Sequence, residues 1–248
     1  MKLNHIAPTA RAALHVKTKI FQSGDAISPE DLQLLEAYNQ LRTDYVLQEK
    51  WPIHASGVDL DTYDVAANSL YIIAHVKDRV VAGMRATKVS SLFGSLSYSM
   101  WQFAVDRELF DKQLESHSRI LSSFVPGEMW DITRLIAETS VVGQHDTQSK
   151  AYSRVGLLKV MSASVVGATH SNKSVWIFTT TLRMLKFMQK NHITVHVLAS
   201  ARISENDEND SVFCVVYPRE IIAELRKLDP LTHRLATSVI KEHGGIED

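Results

Sequence analysis

Residues 71–87 read Tyr71-Ile-Ile-Ala-His-Val-Lys-Asp-Arg-Val-Val-Ala-Gly-Met-Arg-Ala-Thr87. Two β-rich runs, 71–76 and 79–87, are separated only by Lys77-Asp78, a spacing typical of a β-hairpin. The runs are largely apolar, which favours strands buried in the interior of a sheet. The stretch therefore predicts an antiparallel pair within a larger sheet.

Helices and further strands surround this hairpin. Upstream, Ser28-Pro29-Glu30-Asp31 combines a capping residue, a first-turn proline and an acid, and predicts a helix that runs towards Trp51. We predict further strands over 95–103, 128–137, 175–180, 193–201 and 211–217, and helices over 106–115, 148–169, 182–189 and from 218 onward. Antiparallel strands precede strand–helix–strand units, which predicts a mixed α/β sheet with right-handed crossovers.

No repeat, low-complexity tract or linker divides the 248 residues, so we predict one domain over 28–248. Residues 1–27 are predicted to be an N-terminal flanking segment. The first 24 residues contain basic side chains and no acid, as organellar transit segments do, but they lack a secretory apolar region and cleavage signature. We favour the flanking segment over the transit segment.

Composition excludes several classes of protein. Lys and Arg number 27 against 28 Asp and Glu, so the broad positive field of nucleic-acid binders is missing. The single cysteine, Cys214, excludes an internal disulfide and a cysteine-based zinc site, and indicates a reducing, cytoplasmic compartment. No apolar stretch approaches the roughly 20 residues of a membrane span. Glycine-rich phosphate loops, H-E-x-x-H and G-x-S-x-G are all absent, which argues against nucleotide, zinc-hydrolase and serine-esterase sites.

Three carboxylates, Asp59, Asp61 and Asp64, fall within six residues. Such a segment is commonly a solvated loop. A calcium loop of the EF-hand type is argued against by the missing ligand positions and the missing closing Glu. A carboxylate cluster can also hold a cationic ligand.

Three arginines lie where burial is expected. Arg85 and Arg134 lie in predicted strands, and Arg42 borders the apolar stripe of the first predicted helix. A buried arginine is costly to desolvate and normally needs an acidic partner. The candidate partners are Asp61, Asp64 and Asp131. A structural ion-pair network and a ligand site both remain open.

Asp131 and Arg134 are three positions apart in one predicted strand. A regular strand points such residues to opposite faces. A β-bulge between them would bring both towards one site, and bulges often occur beside active sites. We therefore predict a bulge between these two residues.

Five segments carry a family resemblance: Leu41-Arg42 with Trp51, Asp59-x-Asp61-x-x-Asp64, Tyr71-Ile72 with 81–85, Ser99-Met100-Trp101-Gln102-Phe103, and Trp130-Asp131-Ile132-Thr133-Arg134. In this order they resemble the acyl-homoserine lactone synthases (LuxI-type autoinducer synthases). The likeness covers about residues 35–190. It implies an acetyltransferase-like (GNAT-like) mixed α/β sheet flanked by helices, with a splayed cleft for an acyl-pantetheine arm.

The resemblance implies an acyltransferase that makes a quorum-sensing signal. An acyl chain would pass from acyl carrier protein or acyl-CoA to the amine of S-adenosylmethionine, and lactone closure would release methylthioadenosine. No metal or redox cofactor is implied. One alternative is an N-acyltransferase of the same fold that acylates another amine, such as an amino acid, without lactonisation. Another is a ligand-binding protein whose charged residues only hold the sheet together.

The resemblance also implies residue roles. S-adenosylmethionine would be bound by Arg42, Trp51, Asp61, Asp64, Arg85 and Phe103. Asp131 stands where the family has Glu and would act as the base, with Arg134 as the second strand arginine of the catalytic site. The acyl pocket would be lined by Met100, Trp176, Phe178, Leu182, Met184 and Leu185, which ordinary core packing would also explain. Lys150 and Arg154, with Lys159 beyond, would receive an acidic carrier protein or form a solvated helix face.

Overall fold

The computed structural model describes residues 8–48, 59, 61, 64, 68–99, 127–141, 146–169, 173–201, 211–224, 227–228 and 230–244. Among them, seven strands form one mixed sheet in the order β1-β2-β3-β4-β5-β7-β6. The strands are β1 (Lys17–Gln22), β2 (Ser69–Val76), β3 (Arg79–Val89), β4 (Met129–Ala137), β5 (Val175–Thr181), β6 (His196–Ala201) and β7 (Ser211–Val216). The helices are α1 (Pro8–His15), α2 (Pro29–Gln48), α3 (Thr147–Gly167), α4 (Leu182–Lys190), α5 (Pro218–Glu224) and α6 (Pro230–Glu242).

The hairpin prediction is confirmed. Strands β2 and β3 are neighbours in the sheet and are joined by Lys77-Asp78, where Lys77 takes the positive φ of 54° that such turns require. Residues 8–22, within the segment predicted to flank the domain, form α1 and β1. Strand β1 pairs antiparallel with β2 from Lys17 opposite His75 to Gln22 opposite Leu70. Residues 17–22 are therefore part of the sheet.

Helix α2 begins where the capping pattern predicts. The Ser28 hydroxyl accepts the backbone N–H of Asp31 at 3.2 Å, Pro29 is the first helical residue, and Glu30 and Asp31 lie in the first turn. The cap satisfies an amide that has no partner inside the helix, and the acids favour the positive end of the helix dipole.

The strand–helix–strand prediction is also confirmed. β4 and β5 pair in parallel, with Met129 opposite Val175 and Asp131 opposite Ile177, and α3 lies between them in the chain. β5 then pairs antiparallel with β7, from Trp176 opposite Val216 to Thr181 opposite Ser211. The parallel and antiparallel pairs together make the sheet mixed.

The predicted strand over 95–103 is wrong at its start, because residues 96–99 are helical. The Ser95 hydroxyl accepts the N–H of Tyr98 at 3.0 Å, and the Ser95 carbonyl accepts the N–H of Ser99 at 3.2 Å. Serine at a helix start offers the backbone this cap, which outweighs the weak strand pattern. Residues 100–103 and the predicted helix over 106–115 lie outside the described residues.

The chain divides into two compact units. The first comprises residues 1–85, 134–167 and 234–248, and the second 86–133 and 168–233. The core of the first unit contains Phe21, Leu34, Tyr38, Tyr71, Ile73, Val80 and Ile136. The core of the second contains Val89, Leu92, Met129, Val175, Ile177, Leu198, Phe213 and Val215. No helix in the described ranges is long and apolar enough to cross a membrane.

Candidate active site

Three arginines and three aspartates form a charged cluster in the first unit: Arg42, Arg85, Arg134, Asp59, Asp61 and Asp64. Helix α2 supplies one arginine and strands β3 and β4 supply the others, while the aspartates lie in the chain between α2 and β2. The six formal charges cancel, which is what burial of so many ions requires. Within the described part of the chain, no group of His, Cys, Asp and Glu could hold a metal ion.

Arg42 is 1% exposed and uses all of its donors within the protein. Its Nε donates to Asp59 Oδ2 (3.2 Å), its Nη1 to Asn39 Oδ1 (3.1 Å) and Asp64 Oδ1 (2.7 Å), and its Nη2 to the Asp59 carbonyl (2.6 Å) and Asp64 Oδ2 (3.0 Å). A guanidinium has five N–H donors, and these five bonds use them all. Arg42 therefore fastens the acidic segment to α2 and has no donor left for a substrate carboxylate.

Arg85 and Asp61 form a bidentate ion pair. Nη1 and Nη2 of Arg85 donate to the two carboxylate oxygens of Asp61 at 2.7 and 2.9 Å, and Nη1 also lies 2.8 Å from Asp64 Oδ1. Burial opposes the charge of Arg85, but the hydrogen bonds to Asp61 and the attraction of both aspartates raise its pKa above the ordinary value. The pair fixes the orientation of the Asp61 carboxylate.

Asp64 accepts hydrogen bonds or ion pairs from two arginines, a tyrosine and a backbone amide. Besides Arg42 and Arg85, it accepts the hydroxyl of Tyr71 at 2.9 Å and the backbone N–H of Asp61 at 2.9 Å. Burial alone would raise the pKa of Asp64, but the hydrogen bonds and the charges of the two arginines hold it well below its usual range. Burial and the Asp64 charge raise the pKa of Tyr71, so this hydroxyl keeps its proton and donates.

Arg134 is the least neutralised cation of the cluster. Its Nη2 donates to Asp59 Oδ1 at 2.8 Å and lies 3.5 Å from Asp61 Oδ2, while its buried Nε has no hydrogen-bond partner among the described residues. Burial lowers the pKa of Arg134; attraction to Asp59 opposes this effect, and repulsion by Arg42 and Arg85 adds to it. An additional anion at this guanidinium is therefore favoured.

The charged cluster has one more accessible end. The side chains of Asp61 and Arg134 are 22% and 21% exposed, whereas the other four are 6% exposed or less. A carboxylate and a guanidinium thus lie side by side where a ligand can reach them. This pair complements the α-ammonium and α-carboxylate groups of an amino acid.

Asp131 lies in the second unit and is 1% exposed. Its Oδ2 accepts the backbone N–H groups of Leu96 and Ser97 at 2.6 and 3.2 Å, and its Oδ1 accepts the Ser97 hydroxyl at 2.5 Å. These amides begin the helical turn over 96–99, where a carboxylate is favoured. The geometry makes Asp131 the anchor of this turn and leaves the predicted role of base without an accessible oxygen.

The backbone of β4 is irregular at Arg134, whose φ is 55°. A left-handed residue breaks the alternation of a strand, as the predicted bulge would. The structure gives Asp131 and Arg134 different partners, namely Leu96 and Ser97 for the first and Asp59 for the second. That both serve one site stays a prediction.

The predicted acyl-pocket residues that the structure describes lie in the second unit. Trp176 and Phe178 are buried and alternate along β5 with the core residues Val175 and Ile177, so they occupy the other face. Trp176 Nε1 donates to the Ala168 carbonyl at 2.6 Å. On α4, Leu185 is buried and Leu182 and Met184 are half-buried. Burial fits a pocket lining and an ordinary core equally, so the acyl pocket stays a prediction. Trp51, Met100 and Phe103 lie outside the described residues.

The three basic residues of α3 differ in exposure. Lys150 and Arg154 are exposed, as docking of a carrier protein requires. Lys159 is only 9% exposed, and its Nζ donates to the Val16 carbonyl at 2.5 Å. Burial lowers the pKa of Lys159. Lys159 therefore ties α3 to the start of β1 and is excluded from the docking face, contrary to the prediction.

Sequence reasoning missed parts of the site. The sequence pattern assigns no separate role to Asp59, although this residue bonds Arg42 and Arg134. Tyr38 belongs to the apolar stripe of the first predicted helix, yet its hydroxyl donates to the Arg134 carbonyl at 2.7 Å. A buried tyrosine in such a stripe carries no sequence signal that separates this task from packing.

The chain matches no family model and no curated protein sequence. Its structure is similar to that of BjaI, a CoA-dependent acyl-homoserine lactone synthase solved with SAM and isopentyl-CoA. The identity is 15% and the TM-score 0.56, over 94% of this chain and 91% of BjaI. The AHL synthase LasI is 14% identical with a TM-score of 0.55, over 82% of this chain and 90% of LasI. TofI, solved with an inhibitor and MTA, is 15% identical with a TM-score of 0.52, over 87% of this chain and 99% of TofI. The chain therefore has the fold of the acyl-homoserine lactone synthases, the acetyltransferase-like mixed α/β sheet that the sequence predicts.

Proposed function

We propose that this protein is an acyl-homoserine lactone synthase. It transfers an acyl chain from acyl carrier protein or acyl-CoA to the amine of S-adenosylmethionine, and then closes the lactone with release of methylthioadenosine. The observation that carries the proposal is the pair of Asp61 and Arg134 at the accessible end of the charged cluster, in a fold shared with synthases of this type.

Asp61 and Arg134 bind the amino-acid end of the substrate in this proposal. The α-ammonium lies against Asp61, which Arg85 holds in place. The α-carboxylate lies against the solvent-accessible part of the Arg134 side chain, which is 21% exposed. The carboxylate contact is assigned to Arg134 and not to Arg42, whose donors are all used within the protein.

Acyl transfer begins when the α-amine loses a proton. With an ordinary pKa of about 7.7–8.0, such an amine is mostly protonated at pH 7, so it must lose a proton before it attacks, and this proton passes to solvent water. The amine nitrogen attacks the carbonyl carbon of the thioester, the carbon–sulfur bond breaks, and the thiolate leaves. The second amine proton is lost to solvent, which leaves a neutral amide.

Lactone closure uses the same carboxylate. One oxygen stays on Arg134 while the other attacks the carbon bonded to the sulfonium sulfur. That carbon–sulfur bond breaks, its electron pair goes to sulfur, and neutral methylthioadenosine leaves. Folding the two ends of the substrate towards each other supplies much of what an intramolecular step needs.

The acyl donor contacts are assigned to the second unit and to α3. The buried and half-buried side chains of β5 and α4 receive the acyl chain, and the exposed Lys150 and Arg154 attract an acidic carrier protein. Loss of these two charges is expected to raise the KM for acyl carrier protein and to leave the KM for acyl-CoA unchanged.

One other function is favoured by a specific observation. Asp61 and Arg134 complement any α-amino acid, so an N-acyl amino acid synthase would use the same pair. Such an enzyme would not release methylthioadenosine, and this distinguishes it from a synthase. In a purely structural network, neither reaction would occur.

Calorimetry tests the recognition step. We expect S-adenosylmethionine to bind 10- to 100-fold more tightly than its decarboxylated analogue, because a charged hydrogen-bonded pair contributes about 1.5–3 kcal/mol. In Arg134→Lys the difference in Kd between the two ligands should shrink, since lysine cannot form a bidentate pair with a carboxylate. Equal binding of both ligands by the unaltered protein would rule out Arg134 as the carboxylate contact.

A further inference from the structure

Tyr38 touches several parts of the charged cluster from a fully buried position. Its side chain is 0% exposed, and its hydroxyl donates to the backbone carbonyl of Arg134 at 2.7 Å. The edge of its ring meets Tyr71 at a centroid distance of 6.4 Å and an interplanar angle of 73°. The Cζ of Arg42 lies 5.6 Å from the ring centroid. One tyrosine of α2 thus contacts residues of β2 and β4 as well as the arginine of its own helix.

Gly83 in β3 provides the space for this ring. A Cβ built at Gly83 would lie 2.6 Å from both Cδ2 and Cε2 of Tyr38, closer than carbon atoms can approach. Glycine inside a strand weakens it and often marks a close approach of another group. Here the approaching group is the Tyr38 ring, so the two residues form a matched pair.

The backbone of Arg134 needs external support. Its φ of 55° is in the left-handed region, which is unfavourable for a residue with a Cβ and persists only where the surroundings impose it. The hydrogen bond from Tyr38 fixes the direction of the carbonyl of this same residue. In this conformation the guanidinium reaches Asp59 and lies beside Asp61.

We propose that Tyr38 is a positioning residue: its hydroxyl holds the left-handed backbone of Arg134 and thereby sets the guanidinium at the accessible end of the charged cluster. The inference rests on the proposed function for its catalytic consequence, but its structural part stands by itself. Burial raises the pKa of Tyr38, so the hydroxyl remains a donor throughout the range of an enzyme assay.

Tyr38→Phe removes the hydroxyl and keeps the ring that fills the space at Gly83. We expect the crystal structure of this variant to show Arg134 with a negative φ. We also expect the Kd and KM for S-adenosylmethionine to rise about tenfold, as loss of one hydrogen bond to a charged site implies. The KM for the acyl donor should stay within about twofold of its original value. A general loss of packing would change both KM values together.

Tyr152→Phe is the matched control, because the Tyr152 side chain is buried and its hydroxyl accepts a hydrogen bond from the exposed Gln148 on α3, away from the charged cluster. It should leave φ of Arg134 and the KM for S-adenosylmethionine unchanged. Gly83→Ala is a second test, because the added methyl group displaces the Tyr38 ring and should reproduce the shift in KM.

Two results would overturn the inference. One is a Tyr38→Phe structure in which Arg134 keeps a φ near 55°, and the other is unchanged affinity for S-adenosylmethionine in that variant. If the unaltered protein neither binds nor turns over S-adenosylmethionine, the proposed function fails. The φ of Arg134 in the variant would still decide whether Tyr38 positions this residue.

Discussion

At the scale of single residues, three arginines of one cluster have three different tasks. Arg42 donates all five of its N–H groups to protein atoms, and Arg85 forms a bidentate ion pair with Asp61. The buried Nε of Arg134 has no hydrogen-bond partner among the described residues. Burial and local partners, not residue type, decide which arginine can receive a ligand. The ion pairs of Arg42 and Arg85 with Asp64 are almost fully buried, so we expect their main effect to be on the stability of the fold.

Asp64→Asn tests the inner part of the cluster. Breaking a buried ion pair typically costs 3–5 kcal/mol, so the free energy of unfolding at pH 7 should fall by about 3 kcal/mol in urea titrations. The pKa of Asp64 is lowered on folding, so its contribution is complete above the unfolded value of about 3.9 and is lost as the pH falls through the folded value. The difference between the two proteins should therefore shrink below about pH 4.

Asp31→Asn is the control for this experiment. Asp31 pairs with Lys19 in a partly exposed bridge, and such pairs contribute about 0–1 kcal/mol. Its effect at pH 7 should accordingly be small. A loss in Asp64→Asn no larger than that in Asp31→Asn would contradict the buried-network description.

Asp131→Asn tests whether Asp131 holds the helical turn over 96–99 or acts as the general base. The amide oxygen can still accept the N–H groups of Leu96 and Ser97, and the amide nitrogen can donate to the Ser97 hydroxyl. We expect the variant to fold and to keep its turnover within about threefold, whereas removal of a general base lowers rates by about 10²–10⁴. Steady-state kinetics on the folded variant measure this, and a fall of a hundredfold or more would restore Asp131 as the base.

At the scale of elements, packing between α3 and the sheet depends on a glycine, Gly156, whose lack of a side chain lets the helix approach β3 closely. A Cβ at Gly156 would lie 2.9 Å from Val81 Cγ2 and 3.1 Å from Ala82 Cβ. The helix gains up to about 1 kcal/mol from Ala in place of Gly, but overpacking costs about 1–3 kcal/mol. We expect Gly156→Ala to lower the free energy of unfolding by about 1–2 kcal/mol in urea titrations.

Gly167→Ala is the matched control on the same helix. Its nearest neighbour would be Ile20 Cδ1 at 3.4 Å, an ordinary contact, so stability should be unchanged or slightly raised. If both substitutions had the same effect, the close approach of α3 to β3 would not be what constrains Gly156.

Elements that depend on local patterns are predictable from the sequence. The hairpin at Lys77-Asp78, the capped start of α2 and the crossover through α3 all follow from periodicity and capping within short windows. The pairs of the charged cluster are different, because Arg134 and Asp59 are 75 positions apart. The sequence predicts that buried arginines need acids, but only the fold determines which acid each arginine meets.

At the scale of the whole molecule, the two compact units contain different kinds of side chain. The first contains the charged cluster, and the second contains the buried and half-buried apolar side chains of β5 and α4. The formal net charge of −1 and the neutral cluster leave the protein without a general attraction for anions. Specificity must then come from these local groups.

The central claim is acyl transfer to S-adenosylmethionine followed by lactone closure. The most direct measurement is mass spectrometry of the purified protein incubated with S-adenosylmethionine and a panel of acyl-CoA and acyl carrier protein thioesters. The account predicts that methylthioadenosine and one acyl-homoserine lactone appear in equal amounts with a preferred chain length. An acylated amine without methylthioadenosine, or no product with any donor from folded protein, would contradict it.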